Sequence, residues 1–342
     1  MNYRPLLLLL PALTFAVPAF AADEIFMPQK NAPAANGTKV KTIAIPVAPQ
    51  QQSPPTIGGN DAELAFGAFQ RGNYLEAVKI AERRAEQNKD ARAMTLLGEL
   101  YSEGLGVPRD LKKSLDWYQR AANAGDISAT FALGMANLQG VSVPRNRDEA
   151  AKLFRRAADK GHAAAAYNLA LLYLEGQVFP QNFDEAAKFM RLAAEKDIPD
   201  AQHAMAIFHQ EGKGVPQDLT LSVGWLRRAA RLDHVPATIE LAIALFNGKG
   251  VDKDEVSAAL AMRRAALKGN ALAQNRLARM MNAGRGIDKN VIEAMAWHLM
   301  ARSQNVSDPM LDDVFGGLKP DEQKKAENIM RAWLQSKAAP NT

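Results

Sequence analysis

The sequence predicts an all-α fold, an α/α solenoid (superhelix) of helix–loop–helix repeats with a 36-residue period. One observation is a column of glycines spaced 36 residues apart, at Gly104, Gly140, Gly176, Gly212, Gly248 and Gly284. A second is a column of alanines with the same spacing, at Ala93, Ala129, Ala165, Ala201, Ala237 and Ala273. A fixed period of this size indicates units that bury their apolar faces only against their neighbours.

Each repeat begins with an amphipathic helix, which we call helix A. In the first repeat, residues 91–102 carry apolar side chains at 93, 96, 97, 100 and 101, the spacing of one helical face. Gly104 is expected to end this helix because glycine tolerates a positive φ. A short loop over residues 105–109 follows, and its Val107 is expected to pack on the core.

Both ends of helix B are predicted in each repeat by residues typical of helix starts and helix ends. Good N-cap residues recur at Asp110, Asn146, Asn182, Asp218, Asp254 and Asn290. Glu149, Glu185 and Glu293 stand three positions after their caps, as in a capping box. Residues tolerant of the left-handed conformation follow each helix, at Gly125, Gly161, Asp197, Asp233, Gly269 and Asn305.

The repeat pattern is similar to that of a known family. The first copy carries Leu97-Gly98, Tyr101, Gly104, Gly106-Val107, Asp110, Trp117-Tyr118, Ala121-Ala122 and Gly125. This pattern resembles the Sel1-like repeat, a relative of the tetratricopeptide repeat. Later copies depart from it, with Ala170, Ala206, Ala242 and Ala278 in place of glycine and Ala261 in place of an aromatic residue. The resemblance implies an interaction scaffold. Some exported Sel1-like proteins restrain two-component signalling or exopolysaccharide control.

The resemblance divides the chain into six repeats and flanking segments. The repeats are expected at 91–126, 127–162, 163–198, 199–234, 235–270 and 271–306. Residues 61–90 are interpreted as a shortened, TPR-like N-terminal cap. Residues 307–342 are interpreted as a C-terminal capping helix and tail, irregular up to Pro320, where the helix is expected to start.

The N-terminal segment is interpreted as a signal peptide over residues 1–21. Arg4 precedes an apolar run over residues 6–17, and Ala19-Phe20-Ala21 fits the small-x-small cleavage rule. Residues 22–60 are rich in proline and glutamine and are predicted to be a disordered linker. Within it, VKTIAIPV at 40–47 either adds a strand to a partner's sheet or is only an apolar patch.

Composition argues against several functional classes. The net charge of +5, from 42 basic and 37 acidic residues, is too small for a nucleic-acid binder. The chain has no cysteine, which excludes disulfides and cysteine zinc sites. We expect no catalytic residue, cofactor or metal. The histidines are interpreted as incidental and three tryptophans as core; they are His162, His203, His209, His234 and His298, and Trp117, Trp225 and Trp297.

A partner-binding groove is predicted on helix A, at the positions equivalent to 95, 99 and 102, which share one helix side. These positions are polar in the first and last repeats and mainly apolar in between, which predicts an apolar groove with polar ends for a peptide or amphipathic helix. The alternative is that they are inter-repeat core. The predicted binding residues are Phe131, Met135, Leu138, Tyr167, Leu171, Leu174, His203, Ile207, Ile239, Ile243 and Phe246.

A basic ridge is predicted near the end of helix B. Its residues are Arg120, Arg155, Arg156, Arg191, Arg227, Arg228, Arg263 and Arg264. Such a ridge suits an anionic polysaccharide, lipid head groups or an acidic protein face. The alternative is that these cations only stabilise helix C-termini and cover apolar neighbours.

Together these features predict a non-enzymatic scaffold in the periplasm, or secreted. We expect a monomer with a protein partner, such as a membrane sensor's periplasmic domain or another envelope protein. Neither nucleic-acid binding nor a transmembrane span after signal cleavage is expected. The alternative function is binding of anionic envelope glycan or wall material through the basic ridge.

Overall fold

The computed structural model describes residues 61–338, with side chains from 64 to 335. The predicted signal peptide, the linker and its strand-prone segment lie outside the described residues. Between residues 61 and 338 the chain forms sixteen helices and no strand. They are α1 Asp61–Gln70, α2 Tyr74–Gln87, α3 Ala91–Glu103, α4 Leu111–Asn123, α5 Ile127–Gln139, α6 Arg147–Ala158, α7 Ala163–Glu175, α8 Phe183–Glu195, α9 Pro199–Glu211, α10 Leu219–Arg231, α11 Val235–Asn247, α12 Glu255–Leu267, α13 Ala271–Ala283, α14 Val291–Arg302, α15 Pro309–Gly316 and α16 Pro320–Ala338.

The helices stack as the predicted α/α solenoid. The odd-numbered helices α3 to α13 are the A helices, and the even-numbered helices α4 to α14 are the B helices. Each A helix packs most extensively on the B helix of its own repeat, and each B helix then packs on the next A helix. Every residue of the predicted alanine column is buried, because a methyl group is all that these close helix contacts admit.

Within each repeat, helix A and helix B match each other in side-chain size. A Cβ added at Gly98 would lie 2.5 Å from Cε1 of Tyr118, so the tyrosine ring rests directly on the backbone of α3. Gly134 faces Phe154 in the same way. Where alanine replaces this glycine, at Ala170, Ala206 and Ala242, the residue equivalent to Tyr118 is the aliphatic Met190, Leu226 or Met262. In these three repeats the replacement of glycine by alanine is therefore compensated within the same repeat.

The helix ends agree with the predictions for helix B. All six predicted N-cap side chains accept hydrogen bonds from backbone N–H groups in the first turn. All six predicted terminal residues have positive φ, between 59° at Asp197 and 93° at Gly125. Since these signals are local in sequence, they could be recognised without knowing how the repeats pack.

The C-terminal segment differs from the prediction. Residues 307–320 were expected to be irregular, but Pro309–Gly316 forms helix α15. Asp308 caps it by accepting a hydrogen bond from the backbone N–H of Leu311, and Pro309 occupies the first helical position. Helix α16 starts at Pro320 as predicted and packs on α14, with the Trp297 and Trp333 rings 4.3 Å apart.

Candidate partner-binding face

The predicted groove residues fall into two groups. Seven are half-buried and reach the surface of four consecutive A helices, α5, α7, α9 and α11; they are Phe131, Met135, Tyr167, Leu171, His203, Ile207 and Ile243. We call this set the A-helix face. The prediction that Leu138, Leu174, Ile239 and Phe246 contact a partner is wrong, because these four side chains are buried.

Three of the buried residues lie near the last turn of helix A, where the chain folds back over them. The Arg145 side chain donates a hydrogen bond to the carbonyl of Leu138 at 3.1 Å. Gln181 donates in the same way to Leu174 at 2.8 Å. Two basic groups lie over the Phe246 ring: Lys253 from the loop of the same repeat, 6.0 Å from the ring centroid, and Arg285 from the loop of the next repeat, 4.7 Å from it. The loop after helix A therefore closes one edge of the A-helix face and removes these positions from the surface.

At the N-terminal part of the A-helix face, Phe131 packs against His162, the N-cap residue of α7. Its ring stacks on His162 with 4.6 Å between centroids. His162 is the N-cap of α7, and its Nδ1 accepts from the backbone N–H of Ala165 at 3.2 Å. Burial lowers the pKa of His162, an effect that Asp126 partly opposes. The cap therefore requires a neutral imidazole at this position.

A polar cluster interrupts the apolar face between α7 and α11. His203 Nε2 lies 2.9 Å from a Glu240 carboxylate oxygen, and the His203 and His234 rings are 4.8 Å apart. His234 caps α11 through Nδ1 and holds Asp200 with Nε2 at 3.5 Å. The hydrogen bond from His234 lowers the pKa of Asp200, outweighing burial. Burial, and then the Asp200 charge, raise the pKa of Tyr167 to about 12, so Tyr167 stays neutral.

The histidines that the sequence analysis interprets as incidental have structural roles. Two of them cap A helices and His203 joins α9 to α11, as described above. The remaining two are buried, with His298 3.0 Å from the Asp312 carboxylate and His209 3.3 Å from the Pro216 carbonyl. Sequence reasoning missed the caps because histidine is not among the usual N-cap residues.

The two ends of the A-helix face differ chemically. At the C-terminal end, Asn275 and Arg279 both donate hydrogen bonds to Asp308, so these polar residues hold the chain after α14. At the N-terminal end, Glu99 forms no ion pair within the described residues. Burial and the neighbouring Glu103 raise its pKa. A positively charged partner group would relieve this cost.

The basic ridge is largely neutralised by the protein itself. Five of its eight arginines lie near a carboxylate: Arg120 near Glu86, Arg155 near Glu185, Arg228 near Asp197, Arg263 near Glu293 and Arg264 near Asp233. Arg156 donates to the Thr130 hydroxyl at 3.1 Å. Arg191 and Arg227 are exposed and have no carboxylate partner among the described residues. These residues therefore do not form a continuous stripe of unpaired positive charge.

The predicted core tryptophans are only partly in the core. Trp297 is buried, as predicted. Trp117 and Trp225 are half-buried, and the guanidinium groups of Arg120 and Arg228 lie 3.9 Å and 4.6 Å from their ring centroids. The arginine stems thus shield these two rings from solvent on the outer side of helix B.

Two kinds of feature are absent from residues 61–338. None of the helices there is long and apolar enough to cross a membrane. No group of three or more His, Cys, Asp or Glu side chains in this range could hold a metal ion.

The stacked helical hairpins define the chain as an α/α repeat protein. The Sel1 repeat family model matches residues 91–126, 127–162, 163–198, 199–234, 235–270 and 271–306. The chain belongs to the Sel1 repeat family. Proteins of this family are generally protein-interaction scaffolds, and their fold is non-catalytic.

Solved structures agree with this assignment. The chain is similar to c5321, described as a protective antigen present in uropathogenic Escherichia coli strains, with 28% identity and a TM-score of 0.67. That match covers 76% of this chain and 56% of c5321, so this chain spans little more than half of the antigen's length. A Sel1 repeat protein from Oxalobacter formigenes is 27% identical, with a TM-score of 0.60, covering 73% of this chain and 100% of that one. No curated protein matches the chain by sequence.

Proposed function

We propose that this protein is a non-enzymatic scaffold that binds a segment of a partner protein along its A-helix face. The observation that supports it is the row of seven half-buried side chains on four consecutive A helices. Direct contacts of α1 with α3 and of α3 with α5 favour placing the A helices on the inner side of the solenoid. A segment lying there would contact several repeats at once.

The charges along the face indicate the chemistry of the partner segment. Glu99 has no counter-charge among the described residues, and Asp200 and Glu240 are balanced only by histidines. The opposing Arg279 is already paired with Asp308. The face therefore suits an amphipathic segment whose apolar side chains alternate with lysine or arginine.

The proposed location is the periplasm, with secretion as the alternative. The support is the signal-peptide pattern of residues 1–21. In that compartment the partner would be a membrane sensor's periplasmic domain or another envelope protein. A monomeric scaffold could then act in envelope signalling or exopolysaccharide control.

The test is a crosslinking capture from periplasm and inner membrane, followed by titration of the purified partner segment. The variant Phe131→Glu/Leu171→Glu/Ile243→Glu should lose at least about tenfold in affinity, because charges would replace apolar contacts. The matched control, Leu75→Glu/Leu221→Glu/Leu334→Glu, changes three exposed residues on α2, α10 and α16, none of which is an A helix. Both triple variants must melt cooperatively, as the wild type does.

Equal affinity of the wild type and the face variant would reject the A-helix face. If the control variant alone lost the partner, the binding surface would lie elsewhere on the array. If the face variant unfolded, the single substitution Leu171→Ser, at a half-buried position, would replace it in the titration.

Anionic glycan binding remains the second candidate function, supported by the unpaired Arg191 and Arg227. It predicts that affinity for an acidic polysaccharide falls steeply with salt and is lost in Arg191→Gln/Arg227→Gln. Salt-insensitive binding, or binding unchanged in that variant, would contradict it.

A further inference from the structure

The outer side of helix B changes character along the array. Three outer positions, equivalent to 112, 116 and 123, hold only charged or polar residues in the first three repeats: Lys112, Asp116, Asn123, Asp148, Lys152, Asp159, Asp184, Lys188 and Glu195. In the fourth repeat they are Thr220, Gly224 and Arg231, and in the fifth Val256, Leu260 and Leu267. Helix α12 thus presents apolar side chains where earlier repeats present charge.

These apolar residues form one stripe on α12. At 100° per residue, positions 256, 260 and 267 fall within about 40° of one another on the helix. Leu260 is 63% exposed and Leu267 is 58% exposed, so both project from the helix into solvent. The neighbouring α10 also has two exposed leucines, Leu219 and Leu221, which lie about 100° to either side of Thr220, the residue equivalent to Val256. Among the B helices of the six repeats, exposed large apolar side chains occur only on α10 and α12.

Basic residues flank this stripe. Arg227 and Arg231 on α10 are exposed and form no ion pair among the described residues. Arg263 lies within the stripe and reaches Glu293 only at 3.9 Å. Helix α10 carries three arginines and no acidic residue. Of the acidic residues nearby, Glu255 and Asp233 are each held by two basic side chains.

We propose that the outer face of α10 and α12 binds an anionic lipid surface. The leucines would enter the boundary between head groups and acyl chains, while the arginines would bind lipid phosphates. Charge favours this occupant over a second copy of the chain, since an isologous contact would set the same arginines against each other. An acidic protein fits the charges as well, but the projecting leucines would then need matching pockets in that protein, whereas a lipid interface needs none.

This surface is separate from the A-helix face. The buried residues of α12 that pack on the A helices, such as Ala258, Met262 and Ala265, lie on the side of the helix away from the stripe. Lipid binding would therefore leave the A-helix face free for a protein segment. The inference does not rest on the proposed function, and either could fail alone.

The experiment is co-sedimentation of the chain beginning at Ala22 with vesicles. Vesicles of phosphatidylglycerol and phosphatidylethanolamine should bind the protein, and phosphatidylcholine vesicles should bind it at least about tenfold less, because each arginine gains several-fold affinity near an anionic surface. Leu260→Ser/Leu267→Ser should lower the partition coefficient by at least about tenfold through lost apolar burial. Arg227→Gln/Arg231→Gln should lower it by a similar factor.

The matched control is Leu75→Ser, which removes a 68% exposed leucine from α2 and should leave binding unchanged. Because every substituted residue is exposed, the melting temperatures should stay the same. The proposal is overturned if the wild type ignores anionic vesicles, or if the leucine and arginine variants bind like the wild type. A lipid-free dimer that Leu260→Ser/Leu267→Ser dissociates would assign the stripe to a second copy and also overturn it.

Discussion

Arg279 and Asp308 form a bidentate ion pair. Arg279 Nε donates to Asp308 Oδ2 at 2.5 Å, and Arg279 Nη2 donates to Asp308 Oδ1 at 2.9 Å. The Asp308 side chain is 1% exposed, and Asn275 donates a third hydrogen bond to it at 2.8 Å. The pair joins the last A helix to the start of α15. It therefore ties the end of the repeat array to the C-terminal helices.

Replacing Asp308 with asparagine should destabilise this end of the array. The variant keeps a capping side chain for α15 but removes the carboxylate charge that faces the half-buried Arg279 guanidinium. Loss of one partner of such a pair costs about 3 kcal/mol. Urea unfolding followed by circular dichroism measures the change, with Asp313→Asn, at an exposed position on α15, as the control. A midpoint equal to that of the control would show that the pair contributes no net stability.

The same carboxylate predicts an acid dependence. Burial raises the pKa of Asp308, but the hydrogen bonds from Arg279 and Asn275 outweigh it and hold the pKa below the usual 3.8. The unfolded chain thus binds the proton more readily, and this stabilisation is present above pH 3.8 and is lost as the pH falls through the folded-state pKa. Stability of Asp308→Asn should fall less than that of the wild type in this acid range. Parallel curves would contradict the assignment.

Two glycines in the same repeat should respond in opposite directions to alanine. Gly214 has φ of +66°, and a Cβ there would overlap the carbonyl oxygen of Phe183 in the preceding repeat. We expect Gly214→Ala to lose at least about 1 kcal/mol. Gly224 lies within α10, where an added Cβ would meet no atom within 4 Å, so Gly224→Ala should gain about 0.5–1 kcal/mol. Thermal melts compare the two, and a loss at both sites would contradict the contrast.

His162 should make stability depend on pH near neutrality. Burial lowers its pKa from the usual 6.5, so the unfolded chain takes up the proton first and this stabilisation is lost as the pH falls below 6.5. His162→Asn keeps an N-cap without a titrating group and should flatten the stability curve between about pH 7 and 5. His162→Ala should flatten it too, with about 1 kcal/mol of further loss. An unchanged slope in both variants would exclude the histidine cap as its cause.

The repeat boundaries and the ends of helix B could be predicted because their signals lie within a few residues. Asp254, for example, is recognisable as an N-cap without any knowledge of its neighbours. Whether Leu174 or Leu171 reaches the surface could not be predicted, because both occupy apolar positions of one helix. The outcome depends on the loop that folds back over the last turn, where Gln181 binds the Leu174 carbonyl.

Helix α15 was missed for a different reason. The segment lies beyond the last repeat, so no periodic pattern marks it, and Gly316-Gly317 favoured an irregular segment. The pair Asp308-Pro309 did carry a local start signal, an N-cap followed by proline at the first helical position. The buried charge of Asp308 was invisible in the sequence because its partner Arg279 lies 29 residues away.

Two ion pairs join consecutive repeats: Arg228 pairs with Asp197 and Arg264 pairs with Asp233 of the repeat before it. Each aspartate also terminates helix B of the preceding repeat, with φ of 59° and 62°. Gly161 and Gly269 are followed instead by Leu192 and Met300 in the next repeat, whereas Gly125 is followed by Arg156, which donates to the Thr130 hydroxyl. Permuting the order of the six copies would therefore separate arginines from their carboxylates. The six repeats are therefore not interchangeable, because some of them carry an arginine that pairs with the terminal aspartate of the repeat before it.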